Sequence, residues 1–320
     1  MSRRNIQADQ VINQIAADNS SGAAQILRRA GEVFPLLTAR QFGHAPTSVE
    51  EARQAVIETC IALVRAQPHM SPLLRLASFV ISVARTAEGA GEALESAEAA
   101  SMTFIENSER AAHAAAVQAA SLIRSDATVL THSRSSTVLA ALVEAKRAGR
   151  DFSVIATESR PMLEGRSLAE TLAGHAIRVT LIADAAASLA MDKVDIILVG
   201  ADTITPQNLV NKIGTRMIAL AARAGGLPVY SVCDTSKLIP ADYRSASVFD
   251  EGSASELWPD APKGVRLVNC YFEPTPLTYF TGIITEDGAL SSQEAASRAA
   301  GASIDDVLVN ALDRLPGPIR

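Results

Sequence analysis

Polar residues that suit a small charged ligand follow a short apolar run in the second half of the chain. In "LVGADTITPQNLVNKIGT", Asp202 comes directly after Gly200 and Ala201, and the pair Asn211 and Lys212 follows in the same stretch. A carboxylate can take up and return a proton, and an amide and an ammonium can hold hydroxyl or phosphate oxygens. The stretch therefore indicates a ligand site, with a plain Asx-turn or helix cap at Asp202 as the structural alternative.

Lys212 is expected to stand near the start of a helix. The positive end of a helix dipole disfavours a cation in that position. A bound anion would offset this conflict, so we predict that Lys212 contacts an anionic group of the ligand.

A second polar cluster stands where a strand pattern gives way to a helical one, and it consists of Ser135, Ser136 and Thr137. Their hydroxyls and the unpaired N–H groups of a first helical turn together make an anion site, although N-capping alone also explains them. Arg134 and Arg160 could add paired contacts to a phosphate, or could pair with a neighbouring acid such as Glu158.

Two further segments offer groups for a phosphate. The N-terminal one consists of Ser20, Ser21, Gly22 and Ala23. It precedes a helical pattern, and Gly22 permits the backbone to approach a ligand closely. Lys237 follows the apolar run "LPVYSVC", and it could reach a phosphate or extend into water.

His132 and the three cysteines have simple structural explanations. His132 could carry a proton, but an isolated histidine is more often hydrogen-bonded within the fold. Cys60, Cys233 and Cys270 lie far apart and have no histidine at the spacing of metal ligands, so we predict no disulfide framework, no metal and no cofactor. Burial as small apolar residues explains all three.

Elements of two kinds must position these residues. From Ile6 to about Ile123, apolar residues recur three or four positions apart, as in "EEARQAVIETCIALVRA", which indicates helices. After Asp126, helical stretches alternate with the β-branched runs "ATVLTH", "FSVIAT", "RVTLIA", "VDIILVG" and "LPVYSVC". Runs that are apolar at successive positions fit strands covered by helices on both faces. We therefore predict an α/β protein with a helical N-terminal domain and long connecting helix over residues 1–123, then a Rossmann-like, doubly wound, mostly parallel sheet domain over residues 124–320.

Ligands of such sheets bind beyond the carboxyl ends of the strands, where loops and helix starts meet. Except for the N-terminal one, the polar segments named above follow predicted strands. We therefore expect these segments to converge at one edge of the sheet, around a ligand that carries one or two phosphates.

The composition disfavours several classes of protein. The chain has 320 residues, with 29 Lys and Arg against 35 Asp and Glu, and a formal net charge of −6. No basic stripe with interleaved aromatic residues occurs, so nucleic-acid binding is disfavoured. The N-terminal segment has no apolar run after its arginines, and no window nears the roughly 18 apolar residues of a membrane span. We predict a cytoplasmic protein that does not bind a membrane.

The order and spacing of five motifs resemble one superfamily. The motifs are "THSRSSTVLAAL", "VIATESRPMLEGRSLAETL", "VTLIADAAASLAM", "VGADTITPQNLVNKIGT" and "NCYFEPTPLTYFTGIITEDG". The superfamily unites the α, β and δ regulatory subunits of eukaryotic initiation factor 2B with ribose-1,5-bisphosphate isomerase and methylthioribose-1-phosphate isomerase. The resemblance is strong from Ala127 to Gly288 and weaker in the helical first third.

This resemblance implies a phosphosugar cleft between a helical and a Rossmann-like domain, and homodimers or higher homo-oligomers built largely through the C-terminal half. The isomerases interconvert an aldose phosphate and a ketose phosphate, with a cysteine after the first strand and the aspartate of a Gly-Ala-Asp motif. Asp202 matches that aspartate, and Ser133 stands at the cysteine position. The positions that match the family's ligand-binding residues are Ser20, Ser21, Gly22, Ala23, Ser135, Ser136, Thr137, Asn211, Lys212 and Lys237.

Two departures from the isomerases bear on activity. The Ser133 hydroxyl is far harder to deprotonate near neutral pH than a thiol, whose pKa is ~8.5. In the N-terminal segment Ser21 replaces an arginine, and Gln67 stands where an arginine is often found. The cations that could supply the missing charge are Arg65, Arg75 and Arg134.

Two functions are consistent with these residues. The first is a phosphosugar-binding protein that isomerises a ribose phosphate, with Asp202 as general acid or base and His132 or Cys233 in place of the thiol. The second is a non-catalytic regulatory or ligand-sensing subunit that binds a phosphorylated sugar or nucleotide and acts through protein partners. Ser133 favours the second, because the regulatory subunits commonly have a serine there. The retained set of ligand-binding positions favours the first.

Overall fold

The computed structural model describes residues 6–18, 21–38, 46–240 and 252–314. Within these ranges the chain forms two compact units. The helical unit comprises the described residues up to Arg110 together with those from Ala302 onwards, and the sheet unit comprises the rest.

The helical unit is built from amphipathic helices. They are α1 (Ile6–Ala16), α2 (Ala23–Gly31), α3 (Pro35–Thr38), α4 (Val49–Ala66), α5 (Ser71–Ala84), the first part of α6 (Ala90–Ser121) and α12 (Asp306–Asp313). Capping residues set the starts of two of them. The Ser48 side chain accepts a hydrogen bond from the Glu51 N–H at 3.2 Å, and Asp305 accepts one from the Val307 N–H at 2.9 Å.

The sheet unit contains a seven-stranded sheet. Its strands are β1 (Thr128–His132), β2 (Ser153–Thr157), β3 (Arg178–Ile182), β4 (Ile196–Val199), β7 (Val229–Val232), β9 (Gly282–Thr285) and β10 (Gly288–Leu290). They lie in the order β10-β9-β7-β4-β1-β2-β3. Every neighbouring pair is parallel except β9 and β10, which form a hairpin. The five strands predicted from β-branched runs are all present.

Helices cover both faces of this sheet. They are the end of α6, α7 (Ser136–Arg147), α8 (Glu164–Gly174), α9 (Ala187–Ala190), α10 (Thr215–Ala224) and α11 (Ser292–Ala300). Successive strand residues point to opposite faces. Val129 therefore packs with α6, α7 and α8, whereas Leu130 packs with α9, α10 and α11. The predicted fold class, a helical N-terminal region followed by a doubly wound and mostly parallel sheet, is confirmed.

A small antiparallel sheet replaces the polar loop and helix start expected after β4. Its strands are β5 (Thr203–Ile204), β6 (Asn208–Lys212) and β8 (Phe272–Pro276), in the order β5-β6-β8. Lys212 ends β6 and pairs with Phe272, and α10 begins only at Thr215. The prediction that Lys212 opens a helix is wrong, because β6 is defined by pairing with a strand far along the chain.

The division between the units differs from the predicted boundary between residues 123 and 124. The last turns of α6, from Ala115 to Ala120, belong with Ile123 to the core of the sheet unit. The C-terminal helix α12 belongs instead to the helical unit. The change of residue pattern marks the end of α6. The packing, in contrast, assigns the first part of α6 to the helical unit and its last turns to the sheet unit. None of the described helices is both long and apolar enough to cross a membrane.

Candidate functional site

Polar residues follow four neighbouring strands of the sheet. Ser133 follows β1, Ser159 follows β2, Asp202 follows β4 and Asp234 follows β7. These four strands are adjacent and parallel, in the order β7-β4-β1-β2. Their carboxyl ends therefore meet at one edge, where ligands of doubly wound sheets bind.

Gly200 marks the closest approach of two loops at this edge. A Cβ atom at this position would lie 2.8 Å from Cβ and 2.9 Å from Oγ of Ser135, and 3.7 Å from Oδ1 of Asn211. Only glycine fits there, because both distances to Ser135 are shorter than any ordinary contact. The start of α7 and the end of β6 thus meet over Gly200, two residues before Asp202.

Asp202 is half-buried and lies beside β6. Its N–H donates to the Val210 carbonyl at 2.9 Å, and the next residue, Thr203, pairs with the same Val210. Asp202 therefore lies directly before β5, held against β6 by this backbone hydrogen bond. Because the chain continues into β5, the helix-cap alternative for Asp202 does not apply.

The start of α7 has the expected hydroxyl groups. The Ser135 side chain caps the helix, because its Oγ accepts the Val138 N–H at 3.3 Å. Ser136 is exposed and Thr137 is half-buried in the first turn. N-capping is therefore present at Ser135, and the same hydroxyl lies against Gly200.

Ser133 lies on a tight turn between β1 and α7. Its φ of 64° is in the left-handed region, and its N–H donates to Ser159 Oγ at 2.8 Å. Ser159 also has a φ of 64°, and its N–H donates to Asp184 Oδ1 at 2.7 Å. The position that matches the family's cysteine is thus held by a neighbouring strand-end turn.

Lys212 forms a buried ion pair with Glu164. Its Nζ lies 2.6 Å from Glu164 Oε1, and the two side chains are 6% and 14% exposed. The ring centroids of Tyr271 and Phe272 lie 5.4 Å and 5.2 Å from the same Nζ. Glu164 therefore already neutralises Lys212, and the contact of Lys212 with an anionic group of a ligand stays a prediction.

The second oxygen of Glu164, Oε2, is buried and has no hydrogen-bond partner. A buried acceptor without a donor costs roughly 1–3 kcal/mol. A ligand hydroxyl that donated to Oε2 would recover this free energy. The pair thus offers a ligand an ammonium donor and a carboxylate acceptor side by side.

Asn211 is buried and partly engaged by the fold. Its Nδ2 donates to Thr215 Oγ1 at 3.0 Å, and that hydroxyl donates to the Lys212 carbonyl at 2.7 Å. These bonds fix the amide so that Oδ1 is the group that lies nearest to Gly200.

Lys237 and Cys233 flank the turn that follows β7. Asp234 caps this turn by accepting the Ser236 N–H at 3.0 Å. Lys237 is only 7% exposed, so its side chain does not extend into water. Burial raises the pKa of the Cys233 thiol well above its usual range, so this thiol is a poor substitute for the family's cysteine.

Arg134 and Arg160 both carry exposed side chains. Glu158, which we considered as their partner, pairs with Arg166 instead at 2.9 Å. The Arg160 backbone N–H donates to Asp184 Oδ2 at 2.7 Å. In the part of the chain that the structure describes, no three His, Cys, Asp or Glu side chains are placed to hold a metal ion.

The N-terminal segment belongs to the helical unit, whereas the strand-end residues belong to the sheet unit. Ser20 lies outside the described residues. The Ser21 N–H donates to Asp18 Oδ1 at 2.9 Å, so a carboxylate of the protein already takes one donor of the predicted phosphate cradle. Gly22 is the N-cap of α2, which begins at Ala23, so Ala23 is the first residue of the helix that the segment was expected to precede.

Gln67 and Arg75, two of the residues that bear on the missing cations, make hydrogen bonds within the helical unit. The Gln67 amide donates to the Asp18 carbonyl at 2.9 Å. Arg75 donates to the Ser303 carbonyl at 2.7 Å, and burial lowers the pKa of its guanidinium. Arg65 is exposed, like Arg134. Arg75 is therefore engaged within the helical unit.

Sequence reasoning missed Glu164 and Tyr271. Glu164 is the first residue of α8, and a Cβ at the following Gly165 would lie 1.8 Å from the Thr157 carbonyl, so α8 starts directly against the end of β2. An acid and a glycine shortly after a strand were the available signal. The Tyr271 hydroxyl donates to Glu256 Oε2 at 2.5 Å, and burial with this bond raises its pKa to about 12, which keeps it protonated.

The fold defines an α/β protein with a doubly wound, mostly parallel sheet, and polar residues line the carboxyl edge of that sheet. A model of the Initiation factor 2 subunit family matches residues 19–292, and the chain belongs to this family. The resemblance found in the five motifs is thereby confirmed.

Relatives within the family have two kinds of name. The ribose 1,5-bisphosphate isomerase of Methanocaldococcus jannaschii is 32% identical over 250 residues, which are 77% of this chain and 80% of that protein. A putative translation initiation factor eIF-2B subunit 2-like protein of Pyrococcus horikoshii is 32% identical over 286 residues, or 87% and 94% of the two chains. The crystal structure of the Pyrococcus horikoshii OT3 translation initiation factor eIF-2B superposes with a TM-score of 0.77 at 28% identity, covering 89% of this chain and 97% of that one.

Proposed function

We propose that this protein binds a phosphorylated sugar at the strand ends of its sheet unit and interconverts the aldose and ketose forms. The observation that carries the proposal is the meeting of Ser135 and Asn211 over Gly200, beside Asp202. A capped helix start and a fixed amide suit the oxygens of a phosphosugar. A half-buried carboxylate next to them suits proton transfer to or from its carbons.

The proposal divides the ligand between two groups of residues. The first turn of α7, with Ser135, Ser136 and Thr137, receives a phosphate, because its N–H groups and dipole favour an anion. Lys212 and Glu164 receive a sugar hydroxyl instead. Their charges cancel, and a hydroxyl can accept from Nζ while it donates to Oε2. A phosphate dianion in that place would be repelled by the Glu164 carboxylate.

Asp202 is the general acid and base of the proposed reaction. Its carboxylate takes the proton from C2 and returns it to C1, while the ring bond from C1 to oxygen opens, the C2 hydroxyl loses its proton as C2=O forms, and the released ring oxygen gains a proton. The two forms have the same overall oxidation state, so no external electron donor or acceptor is required. Ser133 holds a sugar oxygen by a hydrogen bond and does not lose its proton, because its hydroxyl is much less acidic than a thiol.

The relative named ribose 1,5-bisphosphate isomerase supports this choice of ligand and reaction. The alternative is a non-catalytic regulatory or ligand-sensing subunit that acts through protein partners; a relative at the same identity is named a putative translation initiation factor eIF-2B subunit 2-like protein. Both alternatives use the same pocket. They differ in whether Asp202 acts on a carbon of the ligand.

The test is to incubate the purified chain with ribose 1,5-bisphosphate, following conversion by NMR and binding by calorimetry. We expect wild-type conversion, and a loss of at least about 100-fold in Asp202→Asn with affinity little changed, because general acid–base catalysis contributes on that order. Asp192→Asn, at an exposed aspartate, is the matched control. Binding without conversion would support the regulatory subunit, and absence of both would refute the site.

A further inference from the structure

His132, the last residue of β1, is 1% exposed and has a protein partner at each ring nitrogen. Nε2 lies 2.7 Å from the Ile213 carbonyl, which can only accept, so Nε2 carries a hydrogen. Nδ1 lies 2.6 Å from Thr157 Oγ1 and, in a neutral ring, accepts the hydroxyl hydrogen. Because both nitrogens are occupied, His132 is not placed to replace the thiol of the isomerases.

The hydrogen bonds continue from Thr157 to the turn at Ser133. The Ser159 hydroxyl lies 3.3 Å from Thr157 Oγ1, 3.2 Å from the Thr157 carbonyl and 3.5 Å from His132 Nδ1, so Thr157 and His132 together hold it. Ser159 Oγ in turn accepts the Ser133 N–H at 2.8 Å. Thr157 and Ser159 are fully buried, so bulk water does not compete for these bonds.

The backbone that these bonds hold is in unusual conformations. Ser133 and Ser159 both have a φ of 64°, a region that residues other than glycine seldom adopt. Gly214 has a φ of 104°, and a Cβ there would lie 3.0 Å from Cε1 and Nε2 of His132. The imidazole thus packs directly on the segment that joins β6 to α10.

The surroundings of His132 favour the neutral imidazole, which the hydrogen bond from Thr157 to Nδ1 requires. Burial lowers the pKa of His132. The charged groups that act on it are Asp184, Glu164 and Lys212, of which the two acids oppose this effect and the lysine adds to it.

We propose that His132 is a positioning residue that connects the Ser133 turn to the segment following Asn211 and Lys212, so that both sides of the ligand site are held in register. Loss of either half of the connection loosens the Ser133 turn. The consequence for ligand binding rests on the proposed function, whereas the consequence for the turn does not.

Four variants of the full chain test this connection. His132→Gln keeps an amide donor for Ile213 but has no group at the Nδ1 position, and Thr157→Val removes the hydroxyl from the same link. Thr157→Ser restores that hydroxyl. Thr128→Val is the matched control, because Thr128 Oγ1 makes a 3.1 Å bond with Ser153 at the opposite end of β1 and β2.

Two readouts are measured after thermal unfolding has shown that each variant is folded. The first is hydrogen exchange at the Ser133 amide without ligand, by NMR. The second is the affinity for ribose 1,5-bisphosphate, by calorimetry. We expect His132→Gln and Thr157→Val each to speed exchange and to weaken binding about tenfold, the effect of losing one buried hydrogen bond. Thr157→Ser and Thr128→Val should stay within about twofold of wild type.

The double variant with His132→Gln and Thr157→Val tests whether the two residues act through one shared connection or have two separate effects on the Ser133 turn. We expect the double variant to bind the sugar no more weakly, and to exchange the Ser133 amide no faster, than the single variant with the larger effect. The reason is that both changes break the same link. Unchanged exchange at Ser133, or losses that multiply in the double variant, would overturn the proposal. If His132→Gln does not fold, the comparison of Thr157→Val with Thr157→Ser carries the test. If the wild type does not bind the sugar, the proposed function is refuted. Hydrogen exchange at the Ser133 amide then decides the inference about His132 by itself.

Discussion

Lys212 and Glu164 neutralise each other at the strand ends, and one oxygen of the carboxylate has no protein donor. Charge balance therefore makes Lys212 a poor ligand for a free phosphate, although its residue type suggests one. Sequence reasoning identified Lys212 from its place after a strand and from the family motif. It did not identify Glu164, because the contact joins a helix start to a strand far from it in the chain.

Glu164→Gln should change the affinities for two probes in opposite directions. Inorganic phosphate should bind more tightly, because Lys212 loses its counter-charge. Ribose 1,5-bisphosphate should bind about tenfold more weakly, because the carboxylate acceptor of a sugar hydroxyl is lost. Calorimetry with both probes measures the two effects.

Glu158→Gln is the matched control for this change, since Glu158 pairs with Arg166 in the same part of the chain. It should leave both affinities within about twofold of wild type. Stronger binding of both probes to Glu164→Gln would show that Lys212 contacts a phosphate, contrary to our assignment.

His132 should make the fold sensitive to mild acid. Its folded-state pKa is lowered from the ordinary value of about 6.5, so the unfolded chain takes up the proton first as pH falls. The stability contributed by the neutral ring is complete above pH about 6.5 and is lost as pH falls towards the folded-state pKa.

Urea unfolding between pH 5 and 7.5 measures this dependence, with His132→Gln as a variant that cannot titrate. The free energy of unfolding of the wild type should fall more steeply, by up to about 1.4 kcal/mol per pH unit. Parallel curves for the two proteins would show that His132 does not titrate differently in the folded and unfolded states.

At the scale of elements, the site depends on the start of α7 and the end of β6 meeting over Gly200. The main strands were predictable, because β-branched runs buried on both faces have a strong local pattern. The small sheet of β5, β6 and β8 was not, because its strands are short and its pairing partners lie far apart in sequence. Asp202 directly precedes β5 and donates its N–H to Val210 of β6, so only the position of Asp202 could be predicted, not its setting.

Gly200→Ala should disturb the site more than the fold. The added methyl would force Ser135 away, and overpacking of this kind costs typically 1–3 kcal/mol. We expect a lower midpoint of thermal unfolding and at least tenfold weaker binding of ribose 1,5-bisphosphate. Gly174→Ala, where a Cβ meets nothing within 4 Å, is the control. Unchanged affinity in Gly200→Ala would show that the two loops do not form one site.

At the scale of the whole molecule, the two halves were predictable from the change of residue pattern, whereas their exact composition was not. The small-residue helix α6 is divided between the units, and α12 joins the helical one. The net charge of −6 means that local groups, and not a general positive field, must hold an anionic sugar. Homo-oligomerisation, a protein partner and a cytoplasmic location stay predictions.

Conversion of ribose 1,5-bisphosphate in D₂O tests the central claim most directly, because it reports proton transfer at carbon. Our account predicts a ketose product that carries deuterium at the receiving carbon to the extent that the Asp202 carboxyl exchanges with solvent before it returns the proton, and product formation at least about 100-fold slower in Asp202→Asn. Absence of conversion, or full conversion by Asp202→Asn, would contradict it.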